Sequence, residues 1–428
     1  MSMKILVLSG CQPHTLCARE AANTVSYHIV HELAASHSWN VSYLCINTHQ
    51  VLWPDMAVAQ RDILIGLGVR FLPNLVFRHE KVNGRDFLKL ANILRANPDY
   101  LCHGSEHSAL LEAHLLPEKP DVVLTVWSEV ATAMAHRLPY PVFAYYGNPD
   151  PKTAAAIRSL QKLSSVESGR RRLVHAISDR IHAYFFKKAH LRIMSRLAGL
   201  VDVAANDAQY YVKSGLSNAA YVRNIWGNLR EDWESERERS ELTNPLKIIG
   251  NVGNLNATGN TFGLQILCER ILPELRILLG ADAFEVHVCG GGRPTDHIAN
   301  LLQDPNIRIR GFVPNIDAEI ISAPVFLVAN NWNPHFRVGN TRFLHAWSLG
   351  ACCIAFRSCS DAMPELVHEQ NVLLGDSPEQ LAAEIARVAN DAALRRKLGR
   401  VGYETVSTLF SPQAVVSDLS SRLMSYVP

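Results

Sequence analysis

Two arginines, a glycine and an asparagine–threonine pair stand close together in the run NNWNPHFRVGNTRFLHAWSLG, residues 330–350. Their types suit one task, holding an anion. Pro334 and Gly339 interrupt regular structure, and Asn340 or Thr341 is placed to cap a helix that begins near Arg342. Phe343, Leu344, Trp347 and Ser348 follow at mixed three- and four-residue spacing, and Gly350 is the stop signal. The first N–H groups of a helix lack intrahelical partners, and the helix dipole favours negative charge there. Arg337 before that helix and Arg342 in its first turn add two planar cationic forks. Together they read as a diphosphate site.

The elements that must position these groups are strands. Apolar runs at 324–329 and 351–356 flank the stretch, and the second half of the chain repeats a strand–loop–helix grammar. LKIIGNV (246–252) leads into Gly253-Asn254-Leu255-Asn256-Ala257-Thr258-Gly259-Asn260-Thr261, and FEVHVC (284–289) into Gly290-Gly291-Gly292. A short strand at 307–309 leads into Arg310-Gly311-Phe312-Val313-Pro314. Glycine- and asparagine-rich loops at successive strand ends bring backbone N–H groups close to a phosphate or a base. The first half shows the same grammar. KILVLS (4–9) ends in the loop Gly10–His14, DVVLTV (121–126) precedes Trp127-Ser128-Glu129, and PVFAYY (141–146) ends in Gly147-Asn148-Pro149-Asp150. Open α/β sheets bind ligands at the carboxyl ends of their strands, so His14 and Asp150 are candidates for one cleft. No GxGxxG is present, which argues against a dinucleotide site.

At 428 residues the chain is too long for one core and suits two domains. Apolar content of 48% and charged content of 19% are those of a folded globular protein, and a net charge of +2 argues against a dedicated nucleic-acid binder. The nine cysteines show no CxxC spacing and read as buried thiols of a reducing cytosol, with no metal site. No signal-peptide pattern precedes the first strand and no apolar run is long enough to span a bilayer, so a cytoplasmic location is expected.

Composition divides the chain into an N-terminal Rossmann-like region (1–227), a charged linker (228–245), a second Rossmann-like region (246–410) and a C-terminal helix (411–428). Residues 152–196 hold eleven Lys and Arg against two carboxylates, a local balance of +9, so the remainder carries −7. Apolar residues interleave there at helical spacing. This is either a solvated helical face or a surface drawn to anionic headgroups on the inner face of a membrane.

The motifs GNVGNL, VCGGG, RGFVPN, LHAWSLGACCIAF, MPELVHEQNVLLG and PEQLAAEIARVANDAALRRKLGRVG, in this order across most of 246–410, resemble the carboxyl-terminal half of a family-4-like glycosyltransferase (glycosyl transferases group 1) of the GT-B fold. The first half matches loosely, through KILVLSG, DVVLTVWSE and YYGNPD. The resemblance implies an α/β architecture of two Rossmann-like domains with a central cleft, the C-terminal helix packing back on the N-terminal domain. It also implies a retaining, metal-independent transferase with no cofactor, moving a sugar from a nucleotide-diphosphate donor to a glycan, glycolipid or small-molecule acceptor. A phospholipid-linked acceptor of surface-polysaccharide assembly is among these. Donor-binding residues would be Gly253, Asn254, Asn260, Gly291, Arg310, Phe312, Arg337, Gly339, Asn340, Thr341, Arg342, His345 and Glu365; Gly10, Trp127 and Asn148 would lie on the acceptor side.

The departures from the family are chemical. Arg337 and His345 stand where two glutamates are usual, and 253–261 contains neither the usual arginine nor the lysine. A neutral imidazole offers one acceptor and one donor where a carboxylate accepts from both ribose hydroxyls, which suits a donor such as a thymidine diphosphate sugar. Arg342, with Arg337, would have to meet the charge of the leaving diphosphate. Were the reaction inverting, His14, Glu129 or Asp150 would be the base. Two other readings stay open: a non-catalytic GT-B nucleotide-binding partner subunit, and a GT-B sugar epimerase.

Overall fold

The computed structural model describes residues 3–16, 21–37, 39–47, 49–76, 105–115, 117–147, 149, 151–157, 169–240, 245–332 and 341–426. The chain forms two compact units, one of Met1–Ala155, Ser165–Ile225 and Pro412–Pro428, the other of Ala156–Ser164 and Trp226–Ser411.

The first unit is built on β1 (Lys4–Ser9), β2 (Asn40–Asn47), β3 (Arg70–Phe71), β4 (Leu75–Val76), β5 (Val122–Val126), β6 (Val142–Tyr146), β7 (Gly199–Asp202) and β8 (Ala219–Tyr221). They lie in the order β3-β2-β1-β5-β6-β7-β8, with β4 also on β2, and every pairing is parallel. Helices cover both faces of such a sheet, so its strands are continuously apolar, as KILVLS and VFAYY are. On one face Val25, Ile29 and Leu33 of the Ala21–Ala35 helix share a core with Val415, Val416, Leu419 and Leu423 of the C-terminal helix Pro412–Met424. The C-terminal helix therefore does return to the first unit.

The second unit carries β9 (Leu246–Val252), β10 (Phe284–Cys289), β11 (Ile307–Gly311), β12 (Val325–Val328), β13 (Cys352–Phe356) and β14 (Leu373–Gly375), ordered β11-β10-β9-β12-β13-β14 and again all parallel. The chain builds outward from β9 in one direction through β10 and β11, then returns to place β12 on the other side of β9. β9 and β12 thus flank a topological switch point, where the connecting helices leave a crevice at the carboxyl ends. β1 and β5 hold the same place in the first unit.

β7 ends at Asp202, whose Oδ1 accepts from the Ala204 N–H and turns the chain. The charged 228–245 stretch, expected as a linker, contains the helix Trp233–Ser240, with Trp233 and Arg237 buried. Arg237 donates to the carbonyls of Leu349 (2.6 Å), Ala323 (3.0 Å) and Ile320 (3.2 Å), a packing role that composition conceals. Among the described residues all cysteines are free thiols, buried except for the half-buried Cys11. No described helix is long and apolar enough to cross a membrane.

Candidate functional site

At the carboxyl end of β9 the chain turns through Gly253, whose φ of +111° is open to glycine and strained for other residues. Gly290, at the end of β10, has φ +137°, and a Cβ there would stand 1.8 Å from the Gly253 carbonyl oxygen. The loops interlock through backbone bonds, Gly253 N–H to Cys289 O (3.1 Å), Leu255 N–H to Gly291 O (2.9 Å) and Gly290 N–H to Gly311 O (2.7 Å). Three loops that are separate in sequence thus form one surface.

Asn260, buried in the first turns of the Thr258–Ile266 helix, is the hub beneath that surface. Its Nδ2 donates to the Asn254 carbonyl at 2.6 Å, and its Oδ1 accepts from Asn330 Nδ2 (3.0 Å) and from Arg342 Nη2. Arg342, in the first turn of the Thr341–Ser348 helix, also donates Nε–H to the Val252 carbonyl at 2.9 Å. Its Nη1 is enclosed and meets no partner among the described residues. Burial pushes the Arg342 guanidinium down to about 10, still far above neutral, so a fixed cation stands beside Gly253 at the switch point. A cation held by neutral amides and carbonyls keeps its full charge for an incoming anion.

The other donor-side residues have different fates. Phe312, just beyond β11, is 80% exposed, and Arg310 on that strand lies 3.5 Å from the Glu319 carboxylate. His345 is engaged, its Nε2 lying 2.6 Å from Asp317 Oδ1 and its ring 5.2 Å from that of Trp226. The hydrogen bond from His345 holds the Asp317 carboxyl below its usual range, against the opposing effect of burial. Glu365 is half-buried and its carbonyl accepts from Asn371 Nδ2 at 2.8 Å. Thr341 begins the helix, while Arg337, Gly339 and Asn340 lie outside the described residues.

In the first unit, Gly10, Trp127 and Gly147 converge at the ends of β1, β5 and β6. A Cβ on Gly147 would lie 3.0 Å from the Trp127 ring, and one on Gly10 would lie 3.4 Å from Ser128 Oγ. Glu129 is exposed at the start of the Glu129–Ala135 helix, which Ser128 caps by accepting from Ala131 N–H. His14 is buried and its Nδ1 lies 2.6 Å from the Leu16 carbonyl, so Nδ1 carries the proton and Nε2 is the acceptor, 3.4 Å from Asn23 Nδ2. Burial lowers its pKa, which favours this neutral form. Asn148 and Asp150 lie outside the described residues.

The residues missed from sequence are Asn330, Asp317 and Trp226. Asn330 had a usable signal, since it follows an apolar strand directly at its carboxyl end. Asp317 and Trp226 had none.

Two units, each built on a parallel sheet with a topological switch point, define an α/β protein of two Rossmann-like domains. The comparisons narrow this. Residues 246–391, in the second unit, match the family described as glycosyl transferases group 1. Over 111 residues the chain is 31% identical to the lipopolysaccharide core biosynthesis glycosyltransferase LpsD of Rhizobium meliloti (strain 1021), spanning 26% of this chain and about a third (31%) of that relative. Among solved structures, Anabaena Alr3699/HepE in complex with UDP superposes with a TM-score of 0.58 at 11% identity, over 99% of this chain and 100% of that one. The apo form of the lipopolysaccharide outer core galactosyltransferase WaaB gives 0.58 at 12% identity, over 99% of each chain. The fold is GT-B.

Proposed function

We propose that this chain is a glycosyltransferase that moves a sugar from a nucleoside diphosphate donor, held by the second unit, to a glycan acceptor taken by the first. The observation that carries the reading is Arg342, a cation fixed by Val252 and Asn260 with Nη1 unpartnered among the described residues. Arg342 faces the diphosphate and stabilises the charge that develops as the sugar departs, with Arg337 its candidate companion. Gly253 and Gly290–Gly292 let the backbone approach the phosphates, and Phe312 offers a face to the base. The HepE complex carries UDP, which makes a uridine diphosphate sugar the first donor to try. The names of LpsD and WaaB favour a surface-polysaccharide acceptor. Retention of anomeric configuration follows the family resemblance and requires no protein base; for an inverting reaction His14, with its Nε2 lone pair, is the base to test before Glu129 or Asp150. The exposed Lys187 and Lys188 on the Gly169–Met194 helix support docking to an anionic membrane surface, which sedimentation with anionic against neutral vesicles checks.

One observation favours a second reading, a non-catalytic nucleotide-binding partner: His345 is committed to Asp317 where the family places a carboxylate. A panel of UDP-, GDP-, ADP- and TDP-sugars, followed by thermal shift and by sugar release, separates the two. Stabilisation by one nucleotide, lost in Arg342→Ala and accompanied by slow release, supports the transferase. Binding without release at any acceptor supports the partner protein, and no binding at all sinks the donor site.

A further inference from the structure

The second unit has a small cleft at the amino ends of β12 and β13, the end of the sheet opposite to Gly253 and Arg342. Four arginines line it, Arg237, Arg395, Arg396 and Arg400, against two carboxylates, Glu234 and Glu238. The lining therefore carries +2, which one dianion neutralises. The cleft holds about 30 Å³, room for a few waters or one small oxyanion and too little for a sugar ring or a base.

Its two buried arginines are fixed by carbonyls. Arg237 spans those of Leu349, Ala323 and Ile320. Arg395, 8% exposed, gives Nη1 to the Val388 and Ala389 carbonyls at the end of the Pro378–Ala389 helix, the second at 3.1 Å. Its other edge is idle: Nε is enclosed without a partner, and Nη2 makes no hydrogen bond among the described residues. Nε–H and Nη2–H are the parallel pair with which a guanidinium grips two oxygens of one anion. A carbonyl neutralises no charge, so this fork keeps its attraction at a place largely withdrawn from water. The Arg237 and Arg395 charges both act on the buried Cys352 thiol of the same lining, which burial nevertheless pushes up to about 12.

The carboxylates lie at the exposed rim. Glu234 Oε1 is already taken by Arg400, 3.0 Å from its Nε, and Glu238 is open to water and salt, which screen it. The wall behind them is close-packed backbone. Gly350 has φ +63°, and a Cβ there would stand 2.0 Å from the Trp233 ring; one on Gly399 would stand 2.1 Å from the Gly350 carbonyl oxygen. Groups already held in this way lose little entropy on binding.

We infer that this cleft is an anion site separate from the donor site, taking inorganic phosphate or the phosphate group of a small monoester on the Arg395 fork. The inference rests on the second unit alone and holds whether or not the chain transfers a sugar.

Calorimetric titration of the full chain with inorganic phosphate at low ionic strength tests it, with and without saturating UDP. The expected result is saturable phosphate binding that persists beside UDP and is unchanged in Arg342→Ala. It is weakened about tenfold or more in Arg395→Lys, which keeps a charge and a donor for the carbonyls but no fork. Glu238→Lys, an exposed change that spares the fold should Arg395→Lys melt, is expected to tighten phosphate about threefold or more. Glucose 1-phosphate as a second probe separates the sources: tighter binding than phosphate identifies a monoester, weaker binding the free ion, and either sustains the site. Absence of saturable phosphate binding overturns the inference. So does binding that UDP displaces and Arg342→Ala abolishes, or binding indifferent to both Arg395→Lys and Glu238→Lys. Phosphate binding that depends on Arg395 in a chain that ignores UDP sustains the cleft and removes the donor reading instead.

Discussion

Replacing Asn260 by aspartate tests the role of Arg342 without touching Arg342 itself. In the parent, Asn260 Oδ1 accepts from Arg342 and from Asn330, and a carboxylate oxygen keeps both bonds. The change instead adds a negative charge at hydrogen-bond distance from the cation and removes the donation to Asn254, which spans 2.6 Å. A diphosphate gripped by Arg342 would lie roughly 6 Å from that carboxylate. With an effective dielectric constant near 20, the repulsion is about 3 kcal/mol per unit charge, a loss of more than about 100-fold in affinity. Losing the donation to Asn254 costs folding about 1–3 kcal/mol. Asn260→Ala is the comparator, since it removes the tether without adding charge and is expected to weaken nucleotide binding only about tenfold. Calorimetric titration of UDP at low ionic strength, with apo melting temperatures measured alongside, separates binding from stability. If Asn260→Asp binds UDP as tightly as Asn260→Ala does, charge at this position is irrelevant and Arg342 is not the cation for the diphosphate.

Phe312→Ala is expected to leave the apo melting temperature unchanged, because the side chain is 80% exposed, and to weaken UDP binding by the ~1–3 kcal/mol of a base–aromatic stack; calorimetry checks both. Gly290→Ala forces a Cβ into the Gly253 carbonyl at a backbone angle suited to glycine, and should destabilise the second unit by at least about 3 kcal/mol, seen as a lower denaturant midpoint. Acidification should destabilise the first unit through His28, whose pKa is lowered to about 4, by burial first and by neighbouring His31 second. The unfolded chain takes up that proton near pH 6.5 and the folded one near 4, so stability is lost as pH falls through this window, by at most about 3 kcal/mol. His28→Gln should flatten the urea midpoint against pH between 6.5 and 4.

Much of this protein was legible before any coordinates. Strands buried on both faces must be continuously apolar, so KILVLS, LKIIGNV and FEVHVC announced parallel sheets, and the loops that follow them fall at carboxyl ends for the same reason. Arg342 stood out as a candidate because it follows a strand and a capping pair, all within one short stretch. What the sequence could not determine was which side chains meet. Asn260 reaches Asn330 and Arg342, 70 and 82 residues away, only because β12 returns to lie beside β9. His345 takes Asp317 as its partner, and Arg237 buries itself among three carbonyls from a stretch whose composition reads as solvent-exposed. Residue spacing encodes the periodicity of one element at a time, whereas side-chain partners are chosen by the order of strands in a sheet, and that order exists only in the folded chain.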